Sequence, residues 1–214
     1  MTQPILERSP ALAEARSEVG GPHATDPDRD LVERWRRGES AAFERLVERH
    51  QRRVFGLLLR MLGSREEAED AAQETFLNLH RHGDRFRRES RFSTFVYRVA
   101  VNAALNRRRS LGRRRAHLER LVARQASGHD LPARPRGPEE SAAGDQVRAR
   151  VQRELVALSP ALRTPLVLYD LEGLAYGEIA AVLGVAEGTV KSRIHRARQA
   201  LRVRLSDLVA EERR

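Results

Sequence analysis

A cluster of basic side chains near the C-terminus is the strongest candidate for chemistry in this sequence. The segment GTVKSRIHRARQAL, residues 188–201, has the pattern of a short helix, and its basic residues are Lys191, Arg193, His195, Arg196 and Arg198. Side chains of these types donate hydrogen bonds to phosphates and to base edges in a major groove roughly 12 Å wide. The chemistry that this segment predicts is therefore binding of a nucleic acid.

A helix-turn-helix pattern would hold this segment in place. Gly184 separates two short apolar helices and supplies the permissive backbone of the turn, and the small Ala180 lets the helices approach closely. The positions expected to face inward are Ile179, Leu183, Val190, Ile194 and Ala197. The positions expected to face outward are Lys191, Ser192, His195 and Arg196 or Arg198. An ordinary amphipathic helix with a solvated basic face is the simpler alternative, but the turn and the apolar helix before it favour DNA binding.

A second candidate segment, RFSTFVYRVAVNAALNRRR at residues 91–109, interleaves aromatic and basic side chains. Phe92, Phe95 and Tyr97 are of the type that stacks on unpaired bases while arginines neutralise the backbone. Aromatic residues also build cores, and Phe95 lies on the apolar stripe of its helix, so both interpretations stay open for it. Tyr97, Arg98 and Asn102 are predicted to be exposed.

The arginines at the end of this segment form a separate candidate site. Arg107, Arg108 and Arg109 would hold DNA phosphates through charge, which adds affinity without sequence choice. The alternative is a solvated basic run that leads into a linker.

Hydrophobic periodicity predicts an all-α fold with two small helical domains. Residues 1–28 mix Pro, Gly, Ser and both charge signs and are expected to form a flexible tail, and residues 29–112 carry helical apolar stripes. Residues 113–145 are expected to be a flexible linker, because the stretch SGHDLPARPRGPEES has little to bury. The second domain is predicted at residues 146–214. Within the first, Ser64 and Glu67 have the spacing of a helix capping box.

Composition narrows the possible functions. The 40 Lys and Arg residues against 30 Asp and Glu favour a polyanionic partner, although a GC-rich genome also enriches arginine. The absence of cysteine excludes disulfides, zinc fingers and thiol catalysis, and the apolar runs are too short to span a bilayer, so a soluble cytoplasmic protein without membrane insertion is expected. No cofactor motif is found, and His80 and His82 lie on different helix faces, so no metal site is predicted. We expect a protein that is not an enzyme.

Three segments together resemble one known family. The segments EIAAVLGVAEGTVKSRIHRARQAL, DAAQETFLNLHRH and RFSTFVYRVAVNAALNRRR are similar to bacterial sigma factors of the extracytoplasmic-function group, in the same order and spacing. The resemblance implies that residues 29–112 are sigma region 2 and residues 146–214 are sigma region 4. It implies core RNA polymerase, through its beta-prime clamp helices and its beta flap, and promoter DNA as partners, with an anti-sigma factor as a further expected partner.

The resemblance also implies roles for individual residues. The residues expected at the beta-prime clamp helices are Asp70, Gln73, Glu74 and Asn78. Those expected to recognise the minus-10 element, with the loop RRES at residues 87–90 helping to capture a flipped base, are Phe92, Phe95, Tyr97, Arg98 and Asn102. Those expected at the minus-35 element are Lys191, Ser192, His195 and Arg196. The main alternative function is an independent helix-turn-helix repressor or activator that does not bind core polymerase, and a weaker one is a basic architectural protein.

Overall fold

The part of the chain that the structure describes is built from eight helices and contains no strand. The computed structural model describes residues 26–83, 86, 90–125 and 143–206. The helices are α1 (Arg29–Arg36), α2 (Ser40–Leu62), α3 (Arg65–Arg81), α4 (Phe92–Gln125), α5 (Ala143–Ala157), α6 (Pro160–Asp170), α7 (Tyr176–Leu183) and α8 (Glu187–Arg204). The all-α prediction is confirmed.

Helices α1 to α4 form the N-terminal half, and their ends follow local sequence signals. Gly63, at φ +79°, ends α2 in the left-handed conformation that favours glycine. Ser64 then caps α3 by accepting the Glu67 backbone N–H at 3.3 Å. The predicted box is only half formed, because the Glu67 carboxylate pairs with Arg107 of α4 instead of its own helix terminus.

Helices α5 to α8 form the C-terminal half. Ser159 is the N-cap residue of α6 and Pro160 its first helical residue, a position where proline's fixed φ and missing N–H are tolerated. Pro165 lies inside α6, and the helix nevertheless continues to Asp170. Ile179, Val190, Ile194 and Ala197 are fully or almost fully buried between α6, α7 and α8.

Two helices extend into the linker predicted at residues 113–145. Helix α4 continues 13 residues past the expected end of the first domain at 112, to Gln125, because the stretch RRRAHLERLVARQ has strong helix formers and no glycine or proline. Helix α5 likewise begins at Ala143, inside the expected linker. The Pro- and Gly-rich stretch at 126–142 lies outside the described residues.

The last residues of the expected N-terminal tail also belong to the fold. Asp28 is buried and accepts hydrogen bonds from Arg49 at 2.5 Å and from His50 at 2.8 Å, and Asp26 accepts the Phe92 backbone N–H at 2.7 Å. Burial alone would raise the pKa of Asp28, but the hydrogen bonds and electrostatic attraction of His50 and Arg49 outweigh it and lower that pKa. Residues 1–25 lie outside the described residues.

The two halves pack against each other and share one continuous core. The end of α2 contacts α5 and α6, and α4 contacts α7. The side chain of Gln152 donates a hydrogen bond to the Leu59 carbonyl at 2.9 Å, and the buried guanidinium of Arg163 donates to the Met61 carbonyl. We call this packing of α5–α8 on α2 and α4 the closed arrangement.

Candidate nucleic-acid interface

The turn between α7 and α8 has the geometry that a helix-turn-helix requires. Gly184 ends α7 at φ +64°, and Val185 N–H donates to the Ala180 carbonyl at 3.2 Å. Beyond the turn, α8 buries Val190, Ile194 and Ala197 at the predicted positions. These three contacts fix α8 by one face and leave the opposite face outside.

The outer face of α8 carries the predicted donors. Lys191, Ser192, His195 and Arg196 are all exposed. The ammonium group of Lys191 lies 3.9 Å from Glu187 Oε2 and 5.2 Å above the Tyr176 ring, so its position is restricted from two sides. His195 Nε2 lies 3.0 Å from Gln199 Nε2. This face can therefore donate hydrogen bonds to base edges and phosphates of a duplex.

Arg198 belongs to the scaffold and not to this outer face. Its guanidinium forms a two-point ion pair with Asp170 at the end of α6 and lies above the Tyr169 ring, 5.4 Å from the centroid. The hydrogen bond to Asp170 raises the pKa of Arg198. Of the two alternatives left open for the outer face, the structure favours Arg196.

Helix α4 places the five predicted minus-10 residues in two different environments. Arg98 and Asn102 are exposed, as predicted. Phe92 and Phe95 are buried, so the interpretation of Phe95 as a core residue holds in this structure, and Phe92 shares that role. The prediction that Tyr97 is exposed is wrong for this structure, since only 4% of Tyr97 is accessible.

The aromatic residues of α4 are buried for different reasons. Phe92 and Phe95 pack on Phe86 with ring centroids 5.5 and 5.3 Å apart, and Phe92 also meets the edge of Trp35 at 6.3 Å. All of these residues belong to the N-terminal half. Tyr97 instead meets the C-terminal half, where its hydroxyl donates to Glu172 at 3.1 Å.

The Tyr97 and Glu172 side chains change each other's acidity. Burial raises the pKa of Glu172, and the hydrogen bond from Tyr97 and the positive charges of Arg60, 3.6 Å away, and Arg53 oppose that rise. Burial and the Glu172 charge raise the pKa of the Tyr97 phenol, and the charge and hydrogen bonding of Arg53 in α2 oppose that rise without cancelling it. The tyrosine therefore stays protonated and donates to the carboxylate.

Helix α3 presents the residues expected at the clamp helices. Asp70, Gln73 and Glu74 are exposed and Asn78 is half-buried, and Leu77 beside them is 46% exposed. The arrangement is a polar helix face with an apolar side chain at its centre. Asp70 is also held by an ion pair with Arg107.

The three arginines predicted to bind phosphates lie in different environments, because one of them forms this ion pair. Arg107 is held between Glu67 and Asp70, whose hydrogen bonds raise its pKa. Arg108 is half-buried, and Arg109 is exposed and donates to Asn106 Oδ1 at 2.9 Å. Of the three arginines, Arg109 is the one whose side chain is most open to a phosphate.

Sequence reasoning missed two side chains that join the halves, Glu172 and Arg163. Both are polar residues in ordinary helical or turn contexts, and their partners lie 75 and 102 residues away in the chain. No local pattern marks them. Among the described residues, no group of His, Cys, Asp and Glu is placed to hold a metal ion, and no helix is long and apolar enough to cross a membrane.

Family models match both halves of the chain. The model described as Sigma-70 region 2 matches residues 46–114, and the model described as Sigma-70, region 4 matches residues 148–201. The first match covers most of the N-terminal half and the second covers the helix-turn-helix.

Whole-chain relatives and solved structures agree with these matches. The chain is 38% identical to the RNA polymerase sigma-H factor of Pseudomonas aeruginosa, over 87% of this chain and 97% of the relative. It is 37% identical to the ECF RNA polymerase sigma-E factor of Haemophilus influenzae, over 85% and 97% respectively. Its fold is similar to that of CnrH in complex with the cytosolic domain of CnrY, at a TM-score of 0.60 and 26% identity over 87% of this chain and 99% of that one. A sigma factor RpoE in complex with the anti-sigma factor NepR, from Bartonella quintana, has the same fold at a TM-score of 0.59 and 22% identity, over 77% and 96% respectively.

Proposed function

The chain belongs to the extracytoplasmic-function group of bacterial RNA polymerase sigma factors, and we propose that it reads its promoter at two separate surfaces. It is an alternative sigma factor, which binds core RNA polymerase and promoter DNA and initiates transcription. We propose that residues 29–112 act as the region 2 domain and residues 146–214 as the region 4 domain.

The first proposed surface is the outer face of α8, for the minus-35 element. One observation carries this proposal: four exposed donors, Lys191, Ser192, His195 and Arg196, lie on a helix clamped from behind by buried apolar residues. A helix held in this way can enter the major groove without rearrangement. Lys191 is also oriented by Tyr176 and Glu187, which supports its use in choosing a base.

The second proposed surface is α4, for the minus-10 element. Arg98 and Asn102 are open to solvent and available for a single strand. We propose that Phe92 and Phe95 support α4 from inside instead of stacking on bases. Tyr97 can stack on a base only when Glu172 has moved away.

The exposed face of α3 and the similarity to solved sigma-factor complexes suggest which proteins this chain binds. Asp70, Gln73, Glu74 and Asn78 surround the exposed Leu77, which suits docking on the beta-prime clamp helices, and the C-terminal half is proposed to meet the beta flap. An anti-sigma factor is proposed as a regulator, because a solved structure with this fold is a complex of that kind. The protein is proposed to act in the cytoplasm with core polymerase, and to leave catalysis to that enzyme.

The two surfaces are tested by transcription with purified core RNA polymerase. On templates with a randomised upstream element, Lys191→Ala is expected to lower discrimination at one base pair by roughly tenfold, within the range for a base contact. The matched control is Arg202→Ala, an exposed arginine near the end of the same helix. Asn102→Ala is expected to impair strand opening, read by permanganate reactivity, while binding of the upstream element is retained.

The outcomes separate the proposals. Equal weakening on all DNA sequences by Lys191→Ala and Arg202→Ala would show that α8 only holds phosphates. Loss of upstream binding by Asn102→Ala would remove α4 from the minus-10 role.

A further inference from the structure

Lys191 is the only lysine of this chain, in which Lys and Arg together number 40. It lies in the second turn of α8, on the face proposed to enter the major groove, and its side chain is 57% exposed. A lysine is a compact charge on a flexible stem of four carbons, whereas arginine carries a rigid fork of donors. The contribution of Lys191 to base choice therefore depends on the side chains that hold its ammonium group in place.

Two tyrosine rings connect Lys191 to the end of α6. Tyr169 is the last residue but one of α6, and Tyr176 is the first residue of α7. Their rings are stacked, with centroids 4.6 Å apart and planes inclined by only 7°. The Lys191 ammonium lies over the Tyr176 ring at 5.2 Å, and the Arg198 guanidinium lies over the Tyr169 ring at 5.4 Å. We call these four side chains the stacked row, which runs in the order Lys191, Tyr176, Tyr169 and Arg198.

The spacing of the two cations on α8 fits the stacked row. Lys191 and Arg198 are seven residues apart, so they lie on one side of the helix about 10 Å apart along its axis. Two half-buried aromatic rings from α6 and α7 lie between the two charged groups. Helix α6 contacts Arg198 directly, and the two rings extend that contact to Lys191.

Both ends of the stacked row are held by carboxylates. Arg198 forms a two-point ion pair with Asp170, the last residue of α6, and its Nε lies 3.1 Å from Asp170 Oδ2. At the other end, Glu187 Oε2 lies 3.9 Å from Lys191 Nζ. Gly177 leaves room for this carboxylate, because a Cβ built there would lie 3.0 Å from Glu187 Oε1. The ammonium group thus lies between a carboxylate and an aromatic face whose position is set from α6.

The aromatic face below Lys191 is uncharged. A hydrogen bond with Tyr169 and burial raise the pKa of the Tyr176 phenol, and the negative charges of Tyr169 and Asp170 add to that rise. The positive charge of Arg198 opposes the rise without cancelling it. The phenol is therefore protonated at neutral pH, and the ring attracts the ammonium group through its quadrupole.

We propose that Tyr169 and Tyr176 are positioning residues for promoter recognition, which hold the Lys191 ammonium at one place in the major groove. The inference rests on the proposed function of α8. A lysine that rotates freely finds acceptors on neighbouring base pairs or on a phosphate, and it then contributes similarly to binding of most sequences. A lysine that is held favours the base pair with an acceptor opposite it. The two rings therefore sharpen sequence choice through Lys191.

The free protein tests the contact itself. Reductive methylation with isotope-labelled formaldehyde labels amino groups, so the full chain gives one side-chain signal, from Lys191, besides that of the terminal amino group. The methyl protons are expected upfield of their position in a lysine peptide, because the face of the Tyr176 ring shields them. Tyr176→Leu is expected to abolish this shift and Tyr169→Leu to reduce it. Tyr169→Phe keeps both rings and is expected to retain most of the shift.

Holoenzyme binding tests the consequence for sequence choice. Full-length variants are assembled with core RNA polymerase and mixed with templates randomised in the upstream element, and the bound templates are sequenced. At the base pair whose preference Lys191→Ala removes, Tyr169→Leu is expected to lower discrimination by about two- to fivefold, the scale of one exposed cation–π contact. Tyr176→Leu is expected to give a similar loss, and Tyr169→Phe to retain most of the discrimination. In the Lys191→Ala background, Tyr169→Leu is expected to change discrimination no further.

The matched control is Leu171→Ala. Leu171 directly follows α6, and its side chain is apolar and 38% exposed. Its removal is expected to leave discrimination as in the native chain, since Leu171 is not part of the stacked row.

The outcomes separate this inference from the proposed function. An unshifted methyl signal in the native chain, or native discrimination by both leucine variants, overturns the inference alone. A loss that is uniform over all base pairs, or that persists in the Lys191→Ala background, shows that Tyr169 supports the fold and not the lysine, and also overturns it. If Lys191→Ala changes discrimination at no base pair, the proposed reading role of Lys191 fails and the inference fails with it.

Discussion

Gly83 is placed where even one added methyl group must move an aromatic ring. A Cβ built on Gly83 meets the indole of Trp35, with Cζ3 2.8 Å away and two further ring atoms nearer still. The ring cannot withdraw easily, because Trp35 also packs on Phe43, with centroids 4.9 Å apart, and on Phe92. Gly83→Ala therefore overpacks the contact between α1 and the end of α3.

The expected loss is about 1–3 kcal/mol of unfolding free energy, the usual range for overpacking in a core. For a chain of this size each kcal/mol lowers Tm by roughly 2–4 °C, so a fall of about 2–12 °C is expected. Gly112→Ala is the matched control, since a Cβ at Gly112 meets nothing within 4 Å and the residue lies exposed within α4. Alanine there is expected to stabilise the protein by about 0.5–1 kcal/mol. Urea unfolding followed by circular dichroism measures both variants.

A double-mutant cycle decides whether the indole causes the loss. Trp35→Leu removes the ring that a Cβ at Gly83 would meet, at its own cost in aromatic packing. In that background, Gly83→Ala is expected to cost less than about 0.5 kcal/mol, and the cycle should show strong coupling. An undiminished cost of Gly83→Ala in the Trp35→Leu background would refute the steric explanation.

Two further predictions concern stability. Because the pKa of the Asp28 carboxyl is lowered on folding, its ionised form stabilises the protein above the ordinary value of 3.8, and this contribution is lost as the pH falls through the lowered pKa. Asp28→Asn is expected to be less stable than the native chain at neutral pH, with a difference that shrinks below pH 3.8; a difference that does not vary with pH would contradict the interpretation. Ser64→Ala removes the N-cap of α3 and is expected to cost about 1 kcal/mol in urea unfolding, whereas Ser64→Asp should retain most of the stability.

Sequence reasoning succeeds where the cause is local. The inner positions of α8, Val190, Ile194 and Ala197, follow from spacing on one helix, and the outer donors then follow from the same helix geometry. Ser64 as the cap of α3 depends on a contact only three residues away. The continuation of α4 to Gln125 is also encoded locally, whereas the predicted boundary at residue 112 rests on the composition of the stretch that follows.

The errors arise where a partner lies far along the chain. The composition of the first 28 residues predicts a flexible tail that includes Asp28, whose environment depends on His50, 22 residues away. The sequence around Tyr97 predicts exposure, whereas the residue is buried and its hydroxyl donates to Glu172, 75 residues away. In both cases a polar residue becomes structural through a contact that no periodicity encodes.

The two proposed promoter-reading surfaces differ in the free-energy cost of exposing their side chains to water. The donors of α8 are charged or polar, so exposing them costs little, and the helix can stand ready while its apolar face is buried. A surface that stacks on bases needs aromatic side chains, whose exposure costs roughly 1.5–3 kcal/mol each. Burying such residues against another part of the protein is therefore favourable. In this chain Tyr97 is buried, and its hydroxyl donates a hydrogen bond to Glu172 of the C-terminal half. Tyr97 is thus buried between the two halves, whereas Phe92 and Phe95 are buried inside the N-terminal half, and residue type alone does not distinguish these two environments.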